Sequence, residues 1–145
     1  MHLLLIILSL FFWSCVDFSP FGDDDCDCSN NNNINCYLQI EAPDLNLLSD
    51  GHYQMIINPD YTNNYTSLRA YVGYELEYVG WTSDTYNSVL DVPIVSGAGY
   101  TNEEGYSVIG VSFNSEHIGI TTKVYAGYYD DCGKQWLDSI YIRVE

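Results

Sequence analysis

Acid–base or nucleophilic chemistry needs a nucleophile beside a base, a pair of placed carboxylates, or a metal cage. His52 and His117 are the histidines available outside the apolar amino end, and neither stands in an HExxH, GxSxG or comparable setting. A hydrolytic triad therefore has no support in the sequence. Glu75 and Glu77 alternate along a predicted strand, about 7 Å apart by strand rise, near the carboxylate separation of inverting glycosidases. The same alternation arises on any solvated strand face, and that plainer reading is favoured. No residue is assigned a catalytic role, the chain is read as a non-enzyme, and no cofactor is expected.

The elements that would position any site are strands. From Tyr37 onward, short β-branched and aromatic runs alternate with turn signals, and no window shows helical apolar spacing beyond a turn or two. The pattern predicts strands over Cys36–Ala42, His52–Asn58, Ser67–Gly73, Glu75–Thr82, Val89–Val95, Tyr106–Phe113, Ile120–Tyr128 and Leu137–Val144. Breaks fall at Ser49-Asp50-Gly51, Asn58-Pro59-Asp60, Gly97-Ala98-Gly99, Glu103-Glu104-Gly105 and Cys132-Gly133. About seven or eight strands at this spacing predict one all-β antiparallel sandwich over residues 36–145. Period-two alternation puts Ile109, Val111 and Phe113 on one face, and does the same for Ile120, Val124 and Ala126 and for Ile140, Ile142 and Val144. Those faces must meet a second sheet.

The amino end has a different composition. Leu3 to Trp13, LLLIILSLFFW, matches the hydrophobic stretch of a secretory leader and is short for a bilayer span. Residues 15–35 are rich in Asp, Asn, Ser, Pro and Gly and read as a tether. In an exported chain the five cysteines, Cys15, Cys26, Cys28, Cys36 and Cys132, leave one thiol unpaired. A Cys26–Cys28 bridge would close a strained small ring, so Cys36 pairs with one of these two and Cys132 with the other. The bridge to Cys132 would close a loop of about 100 residues, worth up to ~4–5 kcal/mol in the chain-entropy model. A four-cysteine zinc site is the competing reading, and both the CxC spacing and an oxidising compartment weigh against it. With Cys28 bridged to Cys132, the carboxylates of Asp25, Asp27, Asp130 and Asp131 would gather as calcium candidates, though without EF-hand spacing. A tether whose charges stay solvated explains the same acidic run.

Composition sets further bounds. Twenty acidic residues against 4 basic ones give a net charge of −16, while 47% of the chain is hydrophobic. So apolar a chain is not a disordered acidic one. A surface this negative repels phosphodiester backbones, which excludes nucleic acid as a partner.

Two resemblances extend the reading. Phe12-Trp13-Ser14-Cys15 resembles the lipobox of bacterial lipoproteins, above all the looser lipoboxes of Bacteroidota surface lipoproteins, where an acidic cluster after the cysteine acts as an export signal. Asp17, Asp23, Asp24, Asp25 and Asp27 follow here. The resemblance implies removal of residues 1–14, acylation of Cys15 that uses up the surplus thiol, and a membrane anchor at the bacterial outer membrane or cell surface. The stretch from Ser107 onward, with VSFNSEHIGITTKVYAGY and DSIYIRV, resembles immunoglobulin-like sandwich domains of such lipoproteins, implying that fold and an extracellular binding or structural role.

In that fold, Ser67–Gly73, Ile120–Tyr128 and Leu137–Val144 would be strands C, F and G of one sheet. Arg69, Tyr71, Lys123, Tyr125, Ser139, Tyr141 and Arg143 would then share an outward face carrying three of the chain's 4 cations. Such a face suits a carboxylate-bearing protein or acidic glycan. The favoured plainer reading has Arg69 pairing with Glu75 or Glu77 across the ladder. Tyr61, Tyr65, Trp81, Tyr86, Tyr100 and Trp136 could stack on sugar rings or simply pack. The expectation is a surface-displayed, non-enzymatic binding or structural module whose protein or glycan ligand is unknown. Its alternatives are a carbohydrate-binding accessory protein and, unexpected, a small glycosidase on Glu75 and Glu77.

Overall fold

The computed structural model describes residues 37–86, 92–130 and 133–145. Its strands are β1 (Gln39–Glu41), β2 (Asn46–Leu47), β3 (Tyr53–Met55), β4 (Asn64–Tyr71), β5 (Tyr78–Ser83), β6 (Ser96–Tyr100), β7 (Tyr106–Phe113), β8 (Thr121–Tyr129) and β9 (Gln135–Val144). A single 3-10 turn, Ser115–His117, joins β7 to β8. The protein is all-β, as expected. The strands form a three-stranded sheet, β1-β4-β7, and a six-stranded sheet, β2-β3-β9-β8-β5-β6. Every pairing is antiparallel except β3 with β9, which is parallel.

Alternation decides which side chains meet between the sheets. Leu68 and Ala70 of β4 and Val111 and Phe113 of β7 are buried against Val79 and Trp81 of β5, Val124 and Ala126 of β8, and Ile142 and Val144 of β9, forming one apolar cluster. Full burial of one such side chain contributes about 1.5–3 kcal/mol. Two polar ties cross the same gap. The Trp81 indole N–H donates to Ser107 Oγ at 3.3 Å, joining β5 to β7. Asp138 turns inward from β9, and its Oδ2 accepts the backbone N–H of Ile40 in β1 at 2.7 Å. That carboxylate occupies the free side of an edge strand, which would otherwise leave a buried donor unpaired.

Several expectations need correction. Gly97-Ala98-Gly99 is not a break but the middle of β6, paired with Trp81, Gly80 and Val79. An edge strand with one ladder partner tolerates small residues there. Glu75 lies in a turn, and Leu76 has φ of 65°, so β5 begins only at Tyr78. Glu75 and Glu77 therefore do not alternate along one strand, and the glycosidase arrangement loses its frame. The strand expected over Val89–Val95 lies partly outside the described residues, which include only an isolated bridge from Tyr86 to Pro93. Cys15, Cys26, Cys28, Cys36 and Cys132, with Asp25, Asp27 and Asp131, lie outside the described residues, as do the leader and the tether.

One turn locks two loops together. Asn102 Oδ1 accepts the N–H groups of Glu104 and Tyr106, at 3.0 and 2.9 Å, and Gly105 closes the turn with φ of +80°. A Cβ on Gly105 would lie 2.8 Å from the Gly73 carbonyl carbon, whereas one on Gly119, also left-handed at φ +88°, would meet nothing within 4 Å. Gly119→Ala is expected to cost about 1–2 kcal/mol through backbone strain alone. Gly105→Ala should cost roughly 2 kcal/mol or more beyond that, because backbone must move. Denaturant unfolding of both variants measures the difference; equal losses would contradict the close approach.

Candidate functional site

β8 and β9 pair along their full lengths, from Thr121 opposite Arg143 to Tyr129 opposite Gln135. One parity of each strand is consumed by the core, which leaves Lys123, Tyr125, Gly127 and Tyr129 of β8 facing outward beside Leu137, Ser139, Tyr141 and Arg143 of β9. Lys123 stands directly opposite Tyr141. Its ammonium lies 5.1 Å from the centre of the Tyr125 ring and 5.2 Å from that of Tyr141. Each such contact is worth about 0.5–1 kcal/mol at an exposed site. Among the described residues Lys123 forms no ion pair.

The parallel pairing of β3 with β9 adds Asp50 and His52, which the sequence did not place on this face. His52, just ahead of β3, sets its ring 5.2 Å from Tyr141 with the planes tilted by 48°. Arg143 Nη2 donates to Asp50 Oδ2 at 2.8 Å and lies 2.8 Å from His52 Nδ1. A guanidinium can only donate, so this contact is a hydrogen bond only with Nδ1 as the acceptor; Asp50 Oδ2 lies 3.5 Å from the same nitrogen. The His52 backbone N–H donates to Asp50 Oδ1 at 3.1 Å. That N–H, with Arg143 second among the favourable contacts, holds the Asp50 carboxyl below its ordinary range. Asp50, Arg143, His52, Tyr141, Lys123 and Tyr125 thus form one connected line across β3, β9 and β8.

Beside this line the outward positions of β8, β5 and β6 carry small residues. Gly127 faces Gly80 of β5 on one side and Leu137 of β9 on the other, and Gly80 faces Ala98 of β6. Leu137 leans over Gly127, where an added Cβ would come 2.6 Å from its Cδ2. On the same strands the rings of Tyr78, Tyr100 and Tyr129 are exposed. Tyr78 and Tyr100 meet edge-on, 5.1 Å apart with planes at 61°. The overlooked signal is one outward glycine on each of β5 and β8, Gly80 and Gly127, since alternation analysis attends to the apolar set.

Arg69 and Tyr71 are not part of this face. They belong to β4, in the three-stranded sheet, because Tyr78–Ser83 rather than Ser67–Gly73 takes the place beside β8. Arg69 Nε lies 2.6 Å from Glu41 Oε2, its direct partner across β1 and β4, so the cross-ladder pairing is real but the acid is neither Glu75 nor Glu77. Its guanidinium also sits 4.9 Å over Tyr106, which stacks at 4.8 Å with Tyr71, which in turn meets Tyr37 at 5.5 Å. Burial, with Tyr71 alongside, pushes the Tyr37 hydroxyl pKa up.

Trp81 is buried in the core, and Trp136 packs against it with its N–H donating to Asp130 Oδ2 at 2.9 Å. Asp130 Oδ1 accepts the Lys134 N–H at 2.8 Å, so both oxygens of this calcium candidate already hold a turn together. Tyr61, Tyr65, Tyr86 and Tyr100 are exposed. Among the described residues no group of three His, Cys, Asp or Glu side chains could hold a metal ion, and no helix is long and apolar enough to cross a membrane.

No family model and no curated protein matches the chain. Two solved structures of superoxide reductase (neelaredoxin) from Ignicoccus hospitalis are similar. One, a substituted form of that protein, has 15% identity and a TM-score of 0.48 over 76% of this chain and 81% of its own. The other has 14% identity and a TM-score of 0.49 over 75% and 80%. A likeness of this degree carries no inference about chemistry.

The electrostatics of the connected line can be measured directly. By NMR titration Asp50 should show a pKa below the ordinary 3.8, and Arg143→Gln should leave much of that depression in place because the His52 N–H is its largest cause. The contribution of Asp50 to stability is therefore present above the unfolded-state value and lost as pH falls through the folded one. A return to the ordinary value in Arg143→Gln would assign the effect to the ion pair instead.

Proposed function

We propose that the chain is a lipid-anchored, surface-displayed binding module without catalytic activity, built on an immunoglobulin-like sandwich. With β1, β4 and β7 read as strands A, B and E and β5, β8 and β9 as C, F and G, the strand order agrees with that arrangement, and the buried Trp81 falls on strand C. The leader, the Phe12-Trp13-Ser14-Cys15 motif and the acidic run behind it support acylation of Cys15 and display at the outer membrane or cell surface.

The observation that carries the binding role is Lys123. In a chain of net charge −16 with only 4 basic residues, this ammonium is held between two outward tyrosine rings and makes no ion pair among the described residues. An electropositive point framed by rigid aromatic area, inside a negative surround, selects a carboxylate-bearing partner and rejects a phosphate-rich polymer. The partner read from this face is an acidic peptide segment or an acidic glycan. Sugar stacking on the same sheet is less well supported, because its neighbouring rings are tilted rather than coplanar.

Two measurements test these proposals. Intact mass of the full chain extracted from the membranes of a Gram-negative host should correspond to residues 15–145 with an acylated Cys15; retention of Met1 or a free Cys15 thiol would overturn the anchor. On an array of acidic and neutral glycans and peptides, Lys123→Ala and Tyr141→Ala should weaken acidic binding about tenfold or more, the scale of a truncated anchor residue. Arg69→Ala, on the opposite sheet, should bind like the unmodified protein. Unchanged binding by Lys123→Ala would rule this face out.

A further inference from the structure

β7 ends the three-stranded sheet, and among the described residues no strand pairs with its far side. Which groups face that side follows from the ladder. Val72, the residue after β4, donates its N–H to the Gly105 C=O at 2.9 Å. Continuing that phase, Ser107, Ile109, Val111 and Phe113 turn their backbone groups to β4, while Val108, Gly110 and Ser112 turn theirs away. Tyr106 shares the outer phase, and Asn102 takes both its backbone groups, the N–H through Oδ1 and the C=O through its own N–H, each at 2.9 Å. β6 does not fill the remaining edge. It meets β7 through inward side chains, with Ser107 Oγ donating to the Gly99 C=O at 3.3 Å and Ile109 Cγ2 the atom a Cβ on Gly97 would touch.

We propose that this edge pairs with the same edge of a second copy of the chain, antiparallel about a two-fold axis at Gly110, so that two three-stranded sheets become one. Three observations carry the proposal. The first is that the edge is unguarded. Sheet edges that stay single are kept so by charge, proline, a bulge or brevity. β2 is two residues long, β1 is three and carries Glu41, and the open part of β4 is capped by Asp44, whose Oδ2 accepts the Ser67 N–H at 3.3 Å. β7 has eight residues without charge, proline or bulge, and Val108 is 56% exposed on its outer side. The second is Gly110. Glycine weakens a strand interior, yet Gly110 lies in an unbroken ladder opposite Ser67, outside the left-handed region, and a Cβ there would meet nothing within 4 Å. Among the described residues nothing requires it, and a glycine so placed marks the close approach of another backbone. The third is charge. From Val92 to Asn114 only Glu103 and Glu104 are charged, both in the turn between β6 and β7, in a chain of net charge −16. A basic strand would find no carboxylate along this edge and an acidic one no cation, whereas a second copy brings neutral edge to neutral edge.

The two-fold register at Gly110 uses every free group. Gly110 stands opposite its own copy, Val108 opposite Ser112 of the second copy and Ser112 opposite Val108, so all three exchange N–H and C=O groups reciprocally. An axis at Ile109 would set Ser112 against Tyr106, whose groups Asn102 already holds. One at Val111 would set Val108 against Asn114, whose N–H is taken by His117 Nδ1 at 3.0 Å. On the inward side, Ile109 is only half-buried, and Val111 of the second copy would cover it. This edge belongs to the sheet opposite Lys123, so either proposal can fail without the other.

The test uses the full chain, extracted in detergent with its free thiols alkylated, and reads mass by sedimentation equilibrium. The unmodified protein is expected to form a reversible dimer that tightens as salt rises, because screening relieves the repulsion between two chains of net charge −16. Gly110→Glu sets like charges together at the axis and should weaken the dimer about tenfold or more, with the far-UV circular dichroism unchanged. Gly110→Cys gives a second readout, since paired Cα atoms about 5.5 Å apart lie within disulfide range. Oxidised in membranes, it should yield a cross-linked dimer that neither the unmodified protein nor Tyr129→Cys, an exposed position on the other sheet, produces. A protein that stays monomeric, with the edge free or taken by a foreign strand, would overturn the proposal. So would a dimer that salt loosens or that Gly110→Glu leaves intact, or Gly110→Cys cross-linking no better than Tyr129→Cys.

Discussion

The register of β8 on β9 is the constraint on which both surfaces of the six-stranded sheet depend. Thr122, Val124, Ala126 and Tyr128 enter the core through one parity, and Lys123, Tyr125, Gly127 and Tyr129 are consigned to the outside by the same register. A slip of one residue would exchange the two sets, burying an ammonium and exposing Val124 and Ile142. The core therefore enforces the position of the outward face at no cost in flexibility. Lys123 meets Tyr141 in this register, and any shift by an odd number of residues would turn one strand's apolar face outward. Burial has a further effect at Tyr128, whose hydroxyl is pushed up to about 12 by its desolvation. Because the folded pKa exceeds the unfolded value of 10.0, that residue favours the fold fully below pH 10 and progressively less as pH rises toward 12.

Strand-level features are legible in the sequence because they follow from local chemistry. Tyr106–Phe113 is bounded by a turn rich in Glu and Gly and marked by the alternation of Val111 and Phe113, and the strand has those same ends. The last two strands likewise fall within a residue or two of the ends their patterns predict. What alternation cannot encode is which strands are neighbours. Ser67–Gly73 has the right pattern for a sheet with β8 and β9, yet β4 pairs with β7 over Asn64–Tyr71 and sends Arg69 to the other side of the molecule. The difference lies in long-range pairing, not in any property of Arg69 itself. Glycine misleads in the opposite direction. Gly97 and Gly99 look like punctuation, but an edge strand needs little from its side chains.

Asp138 shows why polar residues at inward positions are hard to interpret from sequence. Its neighbours Trp136 and Ile140 pack against the core, and strand parity turns its carboxylate inward with them. Nothing nearby in sequence offers a partner, because the donor is Ile40, brought in by β1 from the other sheet. A carboxylate accepting a backbone N–H is a stronger tie than a neutral pair. It fastens the short first strand to the last one across the interior.

The two outer faces also differ in how their cations are employed. On the three-stranded sheet Arg69 has a carboxylate at 2.6 Å and a ring beneath it, so its charge is satisfied within the fold. On the six-stranded sheet Arg143 is likewise committed to Asp50, and it holds His52 against Tyr141 as it does so. Among the described residues the Lys123 ammonium is supported by rings alone. An ammonium over tyrosine is attracted to the ring faces without being neutralised, so its field still reaches solvent. Around it the high acidic content repels most polyanions at long range. Under the proposed binding role, a partner would have to present its carboxylate at one point on a rigid aromatic surface, which would make discrimination a matter of position rather than of net charge.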